Sequence, residues 1–170
     1  MPNLLTQLHN EYHASLVRLL VRRTGDRARA EELAQETLRR ALQSPPANPR
    51  TWLFATALQL ADRESRRTTR QGHHLHLLRR DPEAGRPDPG PDADHDDARA
   101  QVRRALMLLN DRDREALLLK SAGFTYDEIA EALGMPRIAV GSTLARARRH
   151  LAEAFRDLES GGETQYAAHE

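Results

Sequence analysis

The residues whose type and spacing most clearly suggest a binding function are the arginines near the end of residues 125–149. The segment has the pattern of two helices about a short turn, because Thr125 and Glu128 have the spacing of a capping box at a helix start. Gly134 suits the left-handed residue that ends a helix, and Pro136 suits the first turn of the next one. The second helix carries Arg146, Arg148 and Arg149. This pattern predicts a helix-turn-helix that places its second helix in the DNA major groove, with an ordinary helical hairpin as the alternative.

A second basic surface is predicted on an earlier helix, which begins at Asn48 and Pro49. A capping side chain followed by proline at the first helical position is typical of a helix start. The polar residues of this helix are Gln59, Arg63, Arg66, Arg67 and, beyond its end, Arg70. A basic face with a nearby aromatic side chain suits single-stranded DNA, because cations bind its phosphates and aromatic rings stack on its bases. Trp52 is the nearby aromatic residue, but we expect it to belong to the core.

No pattern in the chain predicts catalysis or a cofactor. The absence of cysteine excludes disulfides, thiolate zinc sites and thiol nucleophiles. His9 and His13 lie four residues apart but lack a third ligand, and three further histidines in residues 73–76 lie in a segment expected to be flexible. No Ser/His/Asp set, glycine-rich phosphate loop or carboxylate pair stands out. We therefore expect no metal, no cofactor and no enzymatic activity.

The composition favours small helical bundles. Of 170 residues, 30% are charged and only 4% are aromatic, which excludes a large aromatic core. Residues 1–80 hold 14 arginines and 7 acids, residues 81–97 hold 1 arginine and 7 acids, and residues 98–170 hold 11 charges of each sign. A basic block beside an acidic run indicates a nucleic-acid-binding surface next to a solvated tether. Without a membrane-length apolar run or a signal-peptide pattern, the chain is predicted to be soluble and cytoplasmic.

Apolar spacing and helix-stop signals predict an all-α fold of two small domains. Residues 1–70 form a three-helix domain with helices over residues 3–24, 26–44 and 48–69. Residues 71–97 contain four of the nine prolines, three glycines and seven acids. Such a segment buries too little apolar surface to offset its ordering entropy, so it is predicted to be a flexible acidic linker.

Residues 98–158 are predicted to form a four-helix domain that ends in the helix-turn-helix. Its first helix is expected over residues 98–109, and Asp111 is expected to cap the second, which runs to residue 121. The apolar side chains expected in the core of the helix-turn-helix include Ile138, Leu144 and Leu151. Residues 159–170 are predicted to form a disordered tail.

Two helical units in this order, joined by an acidic tether, resemble an extracytoplasmic-function (ECF) sigma factor of bacterial RNA polymerase. Four segments carry the resemblance: GD…AEELAQET within residues 25–37, PRTWLF at 49–54, LNDRDRE at 109–115 and YDEIAEAL at 126–133. They are similar to the family's GD…AEDLVQET, RAWLF, LPxRxRE and YxEIAExL. The resemblance covers about residues 5–70 and 98–156.

The resemblance implies that the charged face of helix 26–44 grips the clamp helices of core RNA polymerase. The residues of this face are Glu31, Glu32, Gln35, Glu36, Arg39 and Arg40. Spacings of three and four put most of them on one side of the helix. A solvated face with internal ion pairs is the alternative.

The resemblance also implies two DNA contacts. The promoter −10 element, where the strands separate, would meet Asn48, Arg50, Gln59, Arg63, Arg66 and Arg67, with residues 44–50 in the place of the family's base-capturing loop. The −35 element would meet Arg137, Gly141, Ser142, Thr143, Arg146 and Arg149. Arginine there grips phosphate or makes a bidentate contact with guanine. In the family, the acidic tether threads the active-site and RNA-exit channels of the polymerase.

The chain departs from the family at DNA-facing positions. Gln59 replaces the usual Asn, residues 44–50 form a short loop without the usual Phe, and residues 141–143 replace a K/R-S-R triplet. Losing phosphate-binding cations weakens DNA affinity. Three functions therefore stay open: an ECF sigma factor, a sigma-like protein that binds polymerase or an anti-sigma factor without reading a promoter, and a plain helix-turn-helix regulator. The first implies core RNA polymerase, promoter DNA and an anti-sigma factor as partners of a chain that is monomeric when free.

Overall fold

A computed structural model describes the backbone of residues 3–76 and 93–166, and the side chains of residues 3–71 and 97–161. The described residues form helices and no strand, which confirms the predicted all-α class. No helix of this described part is long and apolar enough to cross a membrane. The helices are α1 (Leu4–Thr24), α2 (Arg27–Gln43), α3 (Pro49–His76), α4 (Ala93–Met107), α5 (Asp111–Ser121), α6 (Tyr126–Leu133) and α7 (Arg137–Tyr166).

Helices α1 to α3 pack into an N-terminal domain, and local signals set their ends. Asp26 begins α2, because its Oδ1 accepts a hydrogen bond from the Arg29 amide at 3.1 Å. Gly25 ends α1 with φ of +75°, a conformation that favours glycine. Leucines and alanines of all three helices fill the core, and Trp52 is half-buried against it, as the sequence predicts.

The C-terminal domain contains α4 to α7, and the predicted capping box of α6 is confirmed. Thr125 Oγ1 accepts from the Glu128 amide at 3.3 Å, and Glu128 Oε2 accepts from the Thr125 amide at 2.8 Å. Gly134 ends α6 with φ of +59°. The expected cap of α5 is one residue off: Asn110 Oδ1 accepts from the Asp113 amide at 2.9 Å, and Asp111 lies in the first turn.

Three helices run farther than the sequence predicts. Helix α3 continues to His76 and α4 begins at Ala93, so both enter the predicted linker, whose residues 77–92 lie outside the described part. Acidic residues at the start of α4 favour its extension, because they interact well with the positive end of the helix dipole. Helix α7 reaches Tyr166 and so enters the predicted tail, whose residues 159–166 contain no proline that would stop a helix. Residues 167–170 lie outside the described part.

Candidate nucleic-acid and polymerase interfaces

The charged face of α2 is a surface with internal ion pairs. Glu36 accepts from Arg39 Nη2 at 2.6 Å and from Arg40 Nε at 2.7 Å. The hydrogen bonds from Arg40 and Arg39 hold the pKa of the Glu36 carboxyl below its usual range. Glu31 pairs with Arg27 at 3.1 Å, Glu32 pairs with Arg29, and Gln35 is exposed. These predicted polymerase-contacting residues therefore lie together on one face, available to a partner.

The predicted −10 residues farther along α3 divide into two groups. Gln59, Arg63 and Arg67 are exposed. Arg66 is also exposed and forms an ion pair with Asp111 of α5. Arg66 thus contacts the C-terminal domain.

The start of α3 also contacts the C-terminal domain, through Asn48 just before the helix and Arg50 in its first turn. Asn48 Nδ2 donates to Glu131 Oε2 at 3.0 Å, and Arg50 Nε lies 3.1 Å from Glu128 Oε1 in an ion pair. The guanidinium carbon of Arg50 lies 4.5 Å from the centroid of the Phe124 ring. A cation above a ring face is attracted by the ring quadrupole. The short loop and α6 therefore form one polar contact between the domains.

Buried groups extend this contact into the interior. The rings of Phe54 and Phe124 lie 4.9 Å apart, and Phe124 is fully buried. Asp62 of α3 pairs with Arg23 Nη2 at 2.6 Å and with Arg114 Nη2 of α5 at 3.3 Å. This charged cluster was not predicted, since nothing in the spacing within either domain indicates a partner in the other.

A second carboxyl group lies beside this cluster. Burial and the neighbouring carboxylate of Asp62 raise the pKa of Glu115 to about 7, against the opposing effect of the Arg114 and Arg23 charges. The Glu115 carboxyl therefore keeps its proton at pH values well above those at which a glutamate ordinarily ionises. Its ionisation at neutral pH places two anions at the contact between the domains.

The recognition helix α7 has an inner face and an outer face. Val140, Leu144 and Ala147 are buried against the rest of the domain, and Leu151 is half-buried against it, which confirms the prediction for Leu144 and Leu151. The outer face consists of Ile138, Gly141, Ser142, Ala145, Arg148 and Arg149. Ser142 Oγ donates to the carbonyl of Ala139 at 3.1 Å.

Two residues that were predicted to meet the −35 element pack or pair within the C-terminal domain. Thr143 is only 4% exposed, because it follows Val140 by three residues and shares its inner side. Arg146 lies at the edge of the inner face, and its Nη2 donates to Asp113 Oδ1 at 2.6 Å. Arg146 therefore fixes α7 on α5, whereas Arg137 pairs with the exposed Asp127 at 2.6 Å.

The prediction that Ile138 lies in the core is wrong. Its side chain is 90% exposed, the highest fraction among the exposed large hydrophobic residues of the described part. The reason is helical geometry, since Ile138 precedes Val140 by two positions and so lies about 200° around the helix from the buried stripe. The exposed position of Ile138 could have been predicted from its spacing to the buried stripe, whereas its hydrophobic side chain alone favoured the core.

The histidines whose side chains are described are His9, His13 and His150. The rings of His9 and His13 stack with centroids 4.3 Å apart, and burial lowers the pKa of His13. Among the described side chains, no group of three or more histidine and carboxylate residues is placed to hold a metal ion. The histidines of residues 73–76 lie outside the described side chains.

Comparison with known proteins gives two family matches and related sequences. Sigma-70 region 2 matches residues 8–71, and Sigma-70, region 4 matches residues 99–151. The ferric citrate uptake sigma factor FecI of Escherichia coli (strain K12) is 30% identical over 154 residues, covering 84% of this chain and 86% of FecI. The ECF RNA polymerase sigma factor SigL of Mycobacterium tuberculosis is 44% identical over 69 residues, covering 37% of this chain and 39% of SigL.

A solved structure supports the fold. The sigma factor RpoE from Bartonella quintana, co-crystallised with the anti-sigma factor NepR, matches with a TM-score of 0.61 at 23% identity, covering 88% of this chain and 95% of that chain. The matched regions occur in the same order as the two helical domains. The chain therefore belongs to the sigma-70 family, as an ECF sigma factor that directs promoter-specific transcription initiation.

Proposed function

We propose that this sigma factor acts through three separate surfaces. The α2 face binds core RNA polymerase, the α3 side of the N-terminal domain binds the melted −10 element, and the outer face of α7 binds the double-stranded −35 element. The observation that supports this division most strongly is the presence of both sigma regions in one chain, each with an exposed polar or basic helix face. The protein helps to melt the promoter and is released after initiation.

The α2 surface is supported by its exposure and by its independence from the contact between the domains. The acids of α2 pair with arginines of α2 itself, and one of these arginines, Arg29, also pairs with Glu64 of α3. Among the described side chains, these ion pairs do not link α2 to the C-terminal domain. Replacing Gln35 and Glu36 by alanine is expected to weaken core binding about fivefold or more, as for central interface residues. Fluorescence anisotropy of the labelled full chain, titrated with core polymerase, measures this.

The matched control for that experiment is Glu153→Ala with Asp157→Ala. Both control residues are exposed on α7, remote in sequence from the proposed polymerase surface. The control is expected to bind core like the parent protein. Equal affinity of the Gln35/Glu36 double variant and the control would remove the polymerase surface from α2.

DNA contact is divided between exposed and engaged residues. Gln59, Arg63 and Arg67 are exposed and would face the −10 strand. Asn48 and Arg66 are also exposed, but they and the half-buried Arg50 contact acids of the C-terminal domain. On α7, the −35 contact rests on Arg137, Gly141, Ser142 and Arg149, without Thr143 and with Arg146 in a positioning role. Arg149, which is exposed, is the arginine best placed for phosphate.

We also propose an anti-sigma factor as the inhibitory partner of a cytoplasmic, monomeric sigma factor. The relative RpoE was crystallised with such a protein. A cavity of about 890 Å³ between the domains offers apolar residues and arginines together, among them Val17, Arg22, Val102 and Leu106. A sigma-like decoy or a plain helix-turn-helix regulator is not favoured, because both sigma regions match in order.

A further inference from the structure

The outer face of α7 has an unusual chemical composition for a DNA-reading helix. Ile138 stands fully exposed in the first turn, followed on the same side by Ser142 and Ala145. Ser142 donates its hydroxyl proton to the carbonyl of Ala139. The part of this helix that enters the groove therefore presents one large apolar side chain and small neighbours.

The major groove offers one apolar feature to such a side chain, the C5 methyl group of thymine. Apart from aromatic C–H groups, the other base-edge groups there are hydrogen-bond donors or acceptors, which isoleucine cannot satisfy. Because Gly141, Ser142 and Ala145 are small, the helix backbone can approach the base edges closely. From this geometry we infer that Ile138 is a specificity-determining residue of the −35 contact, which reads a thymine by packing on its methyl group.

The position of Arg149 fits the same docking. It lies eleven residues after Ile138, close to three helical turns, so both side chains project from one line of the helix. A rise of about 1.5 Å per residue separates them by about 16 Å, more than the groove width of about 12 Å. Arg149 therefore reaches the phosphates at the groove edge while Ile138 faces the bases.

The inference rests on the proposed −35 contact and is tested with deoxyuridine. This base differs from thymine in the major groove by the missing methyl group alone. Promoter fragments found by run-off transcription with core polymerase are resynthesised with single thymines of the −35 element replaced. The parent protein is expected to lose about fourfold in open-complex formation at one or two positions, the value of burying a methylene-sized group.

On the thymine promoter, the variant Ile138→Ala is expected to form open complexes at the reduced level that the parent protein shows with deoxyuridine. Replacing thymine by deoxyuridine is expected to cause no further loss in this variant. The control Arg149→Ala is expected to weaken thymine and deoxyuridine promoters equally, since phosphate carries no base information. Equal deoxyuridine sensitivity of the parent and Ile138→Ala would overturn the inference, as would a loss of core binding by Ile138→Ala. If no fragment yields a transcript with the parent protein, the proposed function itself fails.

The contact between the domains carries an independent inference. Three of the six proposed −10 residues meet carboxylates of the C-terminal domain: Asn48 meets Glu131, Arg50 meets Glu128, and Arg66 meets Asp111. These carboxylates lie beside two arginines and the amide of Asn48, where the phosphates of a bound DNA strand would otherwise lie. We propose that the described arrangement is a closed form, in which α5 and α6 compete with the −10 strand for its binding residues.

This second proposal also rests on the −10 assignment, and its test uses the free full-length chain. Glu128→Gln with Glu131→Gln is expected to raise the affinity for a fluorescein-labelled −10 single strand about fivefold, because it removes the ion pair of Arg50 and the carboxylate that faces Asn48. Glutamine preserves the capping box at position 128. The binding is measured by anisotropy at low salt.

The control Glu153→Gln with Glu159→Gln changes the net charge equally on an exposed part of α7. Its affinity is expected to stay near that of the parent protein. Equal strengthening in both double variants would show an effect of net charge alone and would overturn the closed form. Failure of every variant to bind the strand would overturn it as well, whereas core-dependent transcription by the parent protein would still support the proposed function.

Discussion

Among single residues, Asp113 has the most consequential environment. Its side chain is fully buried and accepts hydrogen bonds from Arg146 Nη2 at 2.6 Å and from Asn110 Nδ2 at 3.0 Å, with His150 Nδ1 at 3.2 Å. The hydrogen bond from Arg146 is the main reason that the pKa of Asp113 lies below its usual range, with burial opposing it. Arg146 therefore has a structural task that its position on an arginine-rich helix did not reveal.

Asp113→Asn is expected to lower the free energy of unfolding at pH 7 by about 1–3 kcal/mol, because Arg146 loses its partner and an amide faces buried donors. The control Asp127→Asn breaks the exposed pair with Arg137 and should cost much less. Urea denaturation followed by circular dichroism measures both. Equal losses in the two variants would contradict the buried role.

The difference in the free energy of unfolding between the parent protein and Asp113→Asn is expected to depend on pH. Because the folded-state pKa of Asp113 is lowered, its stabilising contribution is present above its unfolded pKa near 3.8 and is lost as the pH falls through the lower folded value. The difference between the parent protein and Asp113→Asn should therefore shrink below about pH 4. A constant difference down to pH 2 would contradict this assignment.

At the level of elements, the sequence was sufficient to predict the seven helices of the described residues, since capping residues and apolar spacing are local signals. Thr125, Gly134 and Gly25 have the roles that their types predict. Helix lengths were less predictable, because residues 70–76 and 159–166 carry no strong stop signal. The exposure of Ile138 differs from the prediction, because its apolar side chain favoured the core although it precedes the buried Val140 by two positions.

Two glycines of the helix-turn-helix provide a matched pair of substitutions. Gly141 lies inside α7, and an added Cβ would meet Tyr126 Cε2 at 3.7 Å, an ordinary contact. Gly141→Ala should therefore stabilise the fold by about 0.5–1 kcal/mol through helix propensity. Gly134→Ala should destabilise it by about 1–2 kcal/mol, because φ of +59° is strained for alanine. Thermal denaturation measures both, and a change of the same sign in the two variants would contradict the assigned conformations.

At the scale of the whole molecule, the packing of the domains was beyond prediction from the sequence. Phe124, Asp62 and Arg114 have partners in the other domain, and pairings between distant segments leave no periodic trace. The predicted site residues Asn48, Arg50 and Arg66 were located correctly on their elements, but their contacts with acids of the C-terminal domain were not predicted. The closed form therefore emerges only from the three-dimensional structure.

The contact between the domains is expected to weaken as the pH rises. The pKa of Glu115 is about 7 in the packed state, mainly through burial and then through Asp62, and its ordinary value is 4.5. Because the pKa of this acid is raised in the packed state, separation of the domains or unfolding releases a proton. The packed state therefore loses stability as the pH rises from about 4.5 to 7, and its stability changes little above pH 7. Glu115→Gln should flatten this dependence, as followed by thermal unfolding from pH 5 to 8. Parallel profiles of Glu115→Gln and the parent protein would contradict this role.

The central claim, that this chain directs core RNA polymerase to promoters, is tested most directly by run-off transcription on fragmented genomic DNA. Purified core polymerase is assayed with and without the protein. Discrete new transcripts that share upstream −35 and −10 sequences are the predicted result, and these sequences supply the promoter for the experiments on Ile138 and Glu128. An unchanged transcript pattern, with binding to core demonstrated in the same preparation, would contradict the claim and would identify the chain as a sigma-like decoy.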